Sequence, residues 1–567
     1  MIGVMADPAK EDVIREFFEV FKTPWEFCRR DRRYEVLLCA GGSPQDGNAK
    51  LVVFYSGRET SFDEAQNVQT RRERKQPCFL SYQGNRIPIY GVALTFPEKG
   101  GALLTDEGSR ECVAYLDRSK DRLLVRIGYD LFDEVRTLLE SGQPPGNAHI
   151  PTLELHIAFL RDLITGCGVS LVEIPPVPEG HHFIVCLTHD VDHPSIRQHK
   201  WDHTTFGFLQ RAVFGSLRNL LRRRIQARGM LTNWAAALKL PFVHLGLAKD
   251  FWRDFDDRYL ELEKNLRSTF FVIPFKNRPG QDVGRPSPSF RAARYSAQDI
   301  SDAMQKLLAA GCEVGLHGID AWLDSARGRE ELEEIRRLTG LYEIGVRMHW
   351  LLYDHTSPLA LEKAGAAYDS TMGFNETVGY RAGTTQAYKP LEASRLLELP
   401  LHVMDTALFY PNYLGLSPQQ AKTLLSRMVD NAVRFGGCLT INWHDRSLAP
   451  ERLWDACYRD LLQNLKCRGA WFATAFQAIS WFRKRRSVVF ETDGVEPPTV
   501  NARVAGEHGE DLPGLRLRRH TARVKEEFGA RASDDYVDLA FDEYVSFVDP
   551  MTFVNQGGEK KAMAGRQ

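Results

Sequence analysis

The sequence predicts an α/β protein: a parallel sheet or α/β barrel in the middle, a separate α/β unit before it and a short strand-containing tail after it. Three observations lead there. A chain of 567 residues exceeds what one hydrophobic core organises, so two or three units are expected. From Phe183 onward, short apolar or β-branched runs (183–187, 268–273, 313–316, 344–346, 397–400 and 437–441) alternate with helical patterns such as 297–310 and 358–364. That rhythm is what parallel strands joined by helices leave in a sequence. The run Ile174-Pro-Pro-Val-Pro-Glu-Gly180 interrupts the chain just before the rhythm begins and reads as a linker.

The first unit spans 1–175. Residues 34–39 and 51–55 read as strands closed by Gly41-Gly42 and Gly57, and 123–127 as another. Asp130 is placed to cap a helix starting near Leu131. A second helix over 152–165 follows Pro151, with Leu153, Ile157, Leu160 and Leu163 near one face. The middle unit spans 183–482, which is long for a single barrel because 195–250 breaks its pattern. Within that insert, 204–228 carries Arg211, Arg218, Arg222, Arg223, Arg224 and Arg228, interleaved with Phe206, Leu209, Val213, Leu217, Leu220 and Ile225. The spacing is that of a basic amphipathic helix. It fits an insert packed on the barrel with a solvated basic face, and it also fits contact with an anionic membrane or glycan. The tail, 486–567, holds strand-like runs at 487–490 and 515–518, a loop-like stretch at 494–513 and a polar end, 555–567, expected to be disordered.

Hydrophobic content of 43% and charged content of 26% are those of an ordinary globular protein. Lys+Arg 73 against Asp+Glu 74 gives a net charge of -1, so nucleic acid is not an expected partner. No apolar run approaches the ~20 residues that span a bilayer. The start lacks the basic residues and apolar core of a secretory signal. A cytoplasmic location is expected, with peripheral contact at the inner membrane face through 204–228. Ten cysteines without a CxxC pair read as buried free thiols rather than as a cysteine zinc site.

Three segments carry chemistry. Cys186-Leu-Thr-His-Asp-Val-Asp-His-Pro194 ends an apolar strand in two carboxylates and two imidazoles. The segment 311–322 delivers His317 and then Asp320, and 437–447 delivers His444 and Asp445, each at the end of a short strand. In α/β barrels the chemistry sits at the C-terminal ends of strands. Borderline divalent cations take imidazole and carboxylate together. Asp190 and Asp192, two residues apart, permit one to bind a metal while the other acts as base.

The order and spacing of these segments resemble the polysaccharide deacetylase (NodB-homology) family over about residues 183–482. Thr188-His-Asp190-Val-Asp192 resembles its first motif and Ser268-Thr-Phe-Phe-Val272 the strand that follows. Glu313-Val-Gly-Leu-His317 resembles the second motif; Gly345-Val-Arg347 with Tyr368-Asp-Ser-Thr371 the third. Leu397-Glu-Leu-Pro400 with Asp405 resembles the fourth, and Leu439-Thr-Ile-Asn-Trp-His444 the fifth. The resemblance implies a NodB-like distorted (β/α)7 barrel, one divalent metal ion (Zn, Mn, Co or Mg) and a carbohydrate substrate. The implied activity is hydrolysis of a non-peptide carbon–nitrogen bond, removing N-acetyl groups from an amino-sugar-containing glycan or its precursor.

The implied roles are Asp190 as general base, Asp192 and His317 as metal ligands and His444 as general acid. Arg347 would hold Asp190, and Asp405 would orient His444. Arg381, Tyr388, Trp322, Trp350 and Trp443 are candidates for substrate contact. One position departs from the family: its second motif has a further His four residues on, and here that residue is Ala321. Asp320 is the first substitute ligand, because residues three apart share a face once a helical turn begins. His193 and His349 are the alternatives. Two Asp and one His would suit manganese or magnesium better than a zinc-type site. The missing His also supports a rival reading: a catalytically weak barrel that binds glycan or organises a biosynthetic complex.

Overall fold

A computed structural model describes residues 1–29, 31–41, 49–72, 77–118, 122–282, 284–493, 499–506, 511–522, 536–548 and 552–553. Seven strands of the middle region form one sheet: β1 (Phe183–Val191), β2 (Ser268–Val272), β3 (Glu313–Gly318), β4 (Val346–Met348), β5 (Val403–Met404), β6 (Cys438–Asn442) and β7 (Ala470–Phe472). Every pairing is parallel, and the order is β4-β3-β2-β1-β6-β5. The first half of β1 also pairs with β7, at Phe183 to Val185. β1 is buried along its whole length, as expected of a strand covered on both faces.

The helices packed around this curved sheet include Ser301–Ala309, Ser325–Thr339, Ser357–Ala364, Pro418–Phe435 and Asp455–Cys467, and one apolar core joins them to the strands. The expected strand at 397–400 is not formed. Between β4 and β5 the ladder survives only as single bridges, Val346 to Asp369 and Asp369 to Glu398. The chain leaves the sheet here because Met372, Ala382 and Tyr388 pack into the core of the N-terminal unit.

Close packing sets β4, which carries Arg347. A Cβ added at Gly345 would lie 1.9 Å from Tyr368 Cζ. Tyr368 cannot swing away cheaply, since its hydroxyl donates to Glu313 Oε1 at 2.6 Å and it is fully buried. Gly345→Ala is therefore expected to cost about 1–3 kcal/mol, measured as a lower urea midpoint with an unchanged slope.

The N-terminal unit is a nine-stranded mixed sheet with helices Glu11–Phe21, Leu131–Glu140 and Thr152–Gly166. Five strands run parallel, from Trp25–Phe27 through Ile2–Ala6, Tyr34–Ala40 and Ala49–Tyr55 to Leu123–Ile127. The remaining four pair antiparallel. Asp130 caps its helix, accepting from the Phe132 and Asp133 amides at 3.0 and 3.3 Å. At the heart of the sheet, Arg126 donates to both oxygens of Asp63, and both side chains are fully buried.

The Pro-rich segment connects the two units and is itself mostly buried. Ile174 to Pro178 are buried, the Ile174 amide donates to Lys22 O, and Pro176 O accepts from Gly437. The tail folds back on this junction. Leu515–His520 pairs antiparallel with Leu171–Glu173 and with Tyr536–Phe541, while Val488–Asp493 opens a second small sheet. Residues 554–567, at the end of the tail, lie outside the described residues.

The insert is a helical hairpin, not one helix over 204–228. His203–Gln210 continues through a π-helical turn, Arg211–Gly215, into Ser216–Leu221. The chain reverses at 222–226, where Arg223 takes a left-handed φ of 55°, and Ala227–His244 returns. Among the described residues, no helix is long and apolar enough to cross a membrane. Six of the ten cysteines are buried.

Candidate active site

The C-terminal ends of β1, β3, β4 and β6 converge on one cluster. β1 runs straight into Asp190 and Asp192, whose side chains do different things. Asp190 is buried and held from two sides. Its Oδ1 accepts from Arg347 Nη1 at 3.0 Å and its Oδ2 from Asn442 Nδ2 at 2.7 Å. Arg347 is itself fixed by Thr188 Oγ1, Ser370 O and Ser370 Oγ, and it lies over the Phe271 ring. A guanidinium and an amide clamp therefore fix the carboxylate in position, as a preorganised site requires.

Asp192 is more open, at 20% side-chain exposure, and its Oδ1 has no hydrogen-bond partner. Two imidazole nitrogens face that oxygen: His317 Nε2 at 3.4 Å and His349 Nε2 at 3.7 Å. His317 Nδ1 lies 3.0 Å from Arg347 O, so the proton sits on Nδ1 and the Nε2 lone pair points inward. Burial pushes the His349 imidazole well below its ordinary pKa, with His317 and Arg291 adding to the effect, so the ring is neutral.

These donors suit a divalent ion. One atom from each of Asp192, His317 and His349 lies within 4.8 Å of the others. Ligands about 2.1 Å from a tetrahedral ion are separated by roughly 3.4 Å, close to the spacing seen here. The oxygen without a partner and the inward lone pair on His317 are what such a site needs and what a purely structural cluster would leave unsatisfied.

Asp320, the first substitute considered from the sequence, is corrected by this geometry. Its Oδ1 accepts from the Gln281 amide at 2.8 Å and its Oδ2 pairs with Arg327 at 2.9 Å. The turn is set by Glu331, whose carboxylate accepts the Ile319 and Asp320 amides, both at 2.8 Å. His193 is also directed elsewhere: its Nδ1 lies 3.1 Å from His199 Nε2, and His199 bonds Asp202 through its Nδ1. Ala321 is fully buried in the core and packs toward Gly328 on the neighbouring helix.

His444 follows β6 and is held by Asp405. Its Nδ1 lies 2.6 Å from Asp405 Oδ1, and its amide donates to Asp405 Oδ2 at 2.8 Å. Ser447 also donates to Oδ2. His444 Nε2 faces inward, 3.7 Å from Asp192 Oδ2. Burial works against its charged form, but Asp405, then Asp192 and Asp190, outweigh it and push the imidazole up to about 9. Buried Asp405 stays ionised, because His444 and Arg452 overcome its desolvation.

Of the aromatic candidates, Trp350 alone is accessible, at 40% exposure beside Phe290 (ring centroids 5.7 Å apart) at the rim. Trp350 and Leu351 both take left-handed φ, 67° and 52°, directly after His349, a strained backbone of the kind found at functional sites. Trp322 and Trp443 are fully buried, Trp443 stacked on Tyr458, so neither can meet a sugar ring. Tyr388 is buried against the N-terminal unit, its hydroxyl toward Leu139 O. Arg381 is held by Gly373 O, and its carbonyl accepts from Gln143 of the N-terminal unit. These four expectations of substrate contact are withdrawn.

Two positioning residues had no role in the sequence reading. Asn442 lies two before His444, and the period-2 alternation of a strand was a usable signal for it. Arg291 donates to both Ile319 O and His349 O, tying the loops after β3 and β4 together, and no local pattern announces it.

No protein-family model matches the chain, and no curated protein matches it. Among solved structures, it resembles a protein from Mycobacterium smegmatis assigned as a polysaccharide deacetylase (19% identity, TM-score 0.35, covering 55% of this chain and 95% of that one). A similar match is to a protein from Pseudomonas aeruginosa PAO1 with the same assignment (18%, 0.34, 57% and 98%). A third is Puue allantoinase (16%, 0.33, 54% and 91%). The resemblance is distant in all three.

Proposed function

We propose that this protein is a metal-dependent hydrolase of non-peptide carbon–nitrogen bonds that removes N-acetyl groups from an amino-sugar-containing glycan or its precursor. The observation that carries the reading is the grouping of three donors, Asp192, His317 and His349, beside a clamped carboxylate, Asp190, and an imidazole held by Asp405, His444. A divalent ion held by Asp192, His317 and His349 would polarise the amide carbonyl and acidify water. The residues of the chain supply the rest. Asp190, fixed by Arg347 and Asn442, accepts the proton from the water whose oxygen attacks the carbonyl carbon. His444 gives its Nε2 proton to the nitrogen as the carbon–nitrogen bond breaks, so that an amine and acetate leave. An amide nitrogen is a poor leaving group without that proton, and acid–base catalysis of this kind contributes about 10²–10⁴-fold. Trp350 and Phe290 offer the apolar rim against which a sugar ring stacks.

The donor set also bears on the rival, catalytically weak reading, whose basis was Ala321. His349 offers the imidazole that Ala321 cannot, from the next loop. Two imidazoles and one carboxylate favour a zinc- or cobalt-type ion over magnesium. Protein dialysed against a zinc or cobalt salt is expected to retain about one ion per chain and to release acetate from N-acetylated chito-oligosaccharides. Retention of metal without acetate from any N-acetylated amino sugar would exclude the substrate class while leaving the metal centre standing. Absence of both would favour the non-catalytic reading.

A further inference from the structure

We propose that the helical hairpin of the insert docks flat on an anionic phospholipid bilayer. Of the 21 large hydrophobic side chains exposed among the described residues, 11 fall between Trp201 and Leu247. They are not scattered. On the outgoing helix, Phe206, Phe214, Leu217 and Leu221 are exposed, while Thr204, Thr205, Phe208 and Ala212 are buried. At 100° per residue the exposed four fall within about a quarter-turn, opposite the buried set. The return helix repeats the pattern: Leu231, Trp234, Leu238, Phe242 and Leu245 form one exposed stripe, opposite buried Asn233, Ala236, Leu240 and Val243. The buried stripes close a small core with Ile196, Trp252 and Ala449. Each helix therefore carries two apolar faces, and only one is covered.

Charge identifies what covers the other. From His203 to Ala248 there is no Asp or Glu, against seven Lys or Arg, in a chain whose totals balance. Arg211 pairs with Glu451 and Arg224 donates to Gly415 O. Arg218, Arg222, Arg223, Arg228 and Lys239 are exposed and make no ion pair among the described residues. A second copy of this chain would bring like charge to like charge. A nucleic acid would leave the leucine and phenylalanine stripes in water. An anionic bilayer offers hydrocarbon to the stripes and phosphate to the arginines together, with Trp201 and Trp234 at the depth where tryptophan is most stable.

The hairpin springs from the rim of the candidate site. The His203 ring packs on Phe290 at 5.9 Å, Phe290 on Trp350 at 5.7 Å and Trp350 on His349 at 5.9 Å. Docking would hold that rim beside the membrane surface.

The test is co-sedimentation of the full chain with vesicles of phosphatidylcholine alone and of phosphatidylcholine with about a third phosphatidylglycerol. At least about tenfold stronger partition onto the anionic vesicles is expected, reduced at high salt. F214S/L221S/L238S and R222E/R223E/R228E should each lose it while keeping the parent's thermal midpoint, since every changed side chain is exposed. Three results would overturn the proposal: no binding to anionic vesicles, equal binding by the serine variant, or a concentration-dependent dimer without vesicle binding that the serine variant disperses. The last would make the occupant a second copy. Retention of RNA but not of vesicles would identify a polyanion instead, and would likewise overturn it.

Discussion

His349→Ala is expected to lower metal affinity by more than about 100-fold and to abolish hydrolysis, whereas Asp320→Asn should leave both near the parent level. Loss of a group that only orients a ligand already costs about 10–100-fold, and His349 offers a donor atom itself, 3.7 Å from Asp192 Oδ1. Asp320 instead spends its oxygens on Gln281 and Arg327. Cobalt(II) titration followed in the visible range reads the donor set directly, without relying on turnover. His349→Ala should weaken the ligand-field bands and change their pattern, and a thermal melt of the metal-free protein separates ligand loss from unfolding. If Asp320→Asn loses metal while His349→Ala retains it, the loop after β3 rearranges around the ion and the assignment to His349 fails.

The strand–helix rhythm and the three His/Asp strand ends were legible because they are local. A strand period of two and a polar residue at a strand's end are both written within a dozen residues. The candidate third donor was not legible, because spacing after His317 put Asp320 first and left His193 and His349 as alternatives. The decision lay in Glu331, on the following helix, which takes the Ile319 and Asp320 amides and aims the turn so that Asp320 faces Gln281 and Arg327. Nothing near His317 in the chain reports where the carboxylate at 331 will lie. The tryptophans teach the same lesson from the other side. Trp322 and Trp443 stand next to site residues in sequence, yet alternation along the backbone carries their rings into the core and leaves Trp350 at the rim.

The burial of the Pro-rich segment was not legible for a related reason. Proline runs often mark exposed connections, but here the backbone oxygens of Ile174 and Pro176 accept from Arg485 and Gly437, so the run is stitched into the junction of two units. In the insert, the basic, apolar spacing was visible. The break at 222–226 was not, since only the left-handed Arg223 turns one helix into a hairpin.

Asp405→Asn is expected to reduce kcat by about 10²–10⁴-fold and to move the basic limb of the pH profile of kcat/KM toward acid by about 1–3 units, with metal content unchanged. In the parent, Asp405 contacts His444 through both the ring and the backbone, and it is the main reason the imidazole is pushed up to about 9. Asparagine keeps the shape and can still accept from Nδ1, but it removes the charge that stabilises the imidazolium. The sign follows from the role: the active form carries the proton, so rate falls as pH rises through the pKa of His444, and lowering that pKa moves the fall to lower pH. A cation beside Asp192 cancels part of the support from that carboxylate, so the limb of the metal-loaded parent should lie below about 9 and leave Asp405 with a larger share of the effect. A residue that merely held the loop in place would lower activity equally at every pH. A uniform loss with an unmoved basic limb would therefore remove His444 as the acid, even if the metal centre and its three ligands stood.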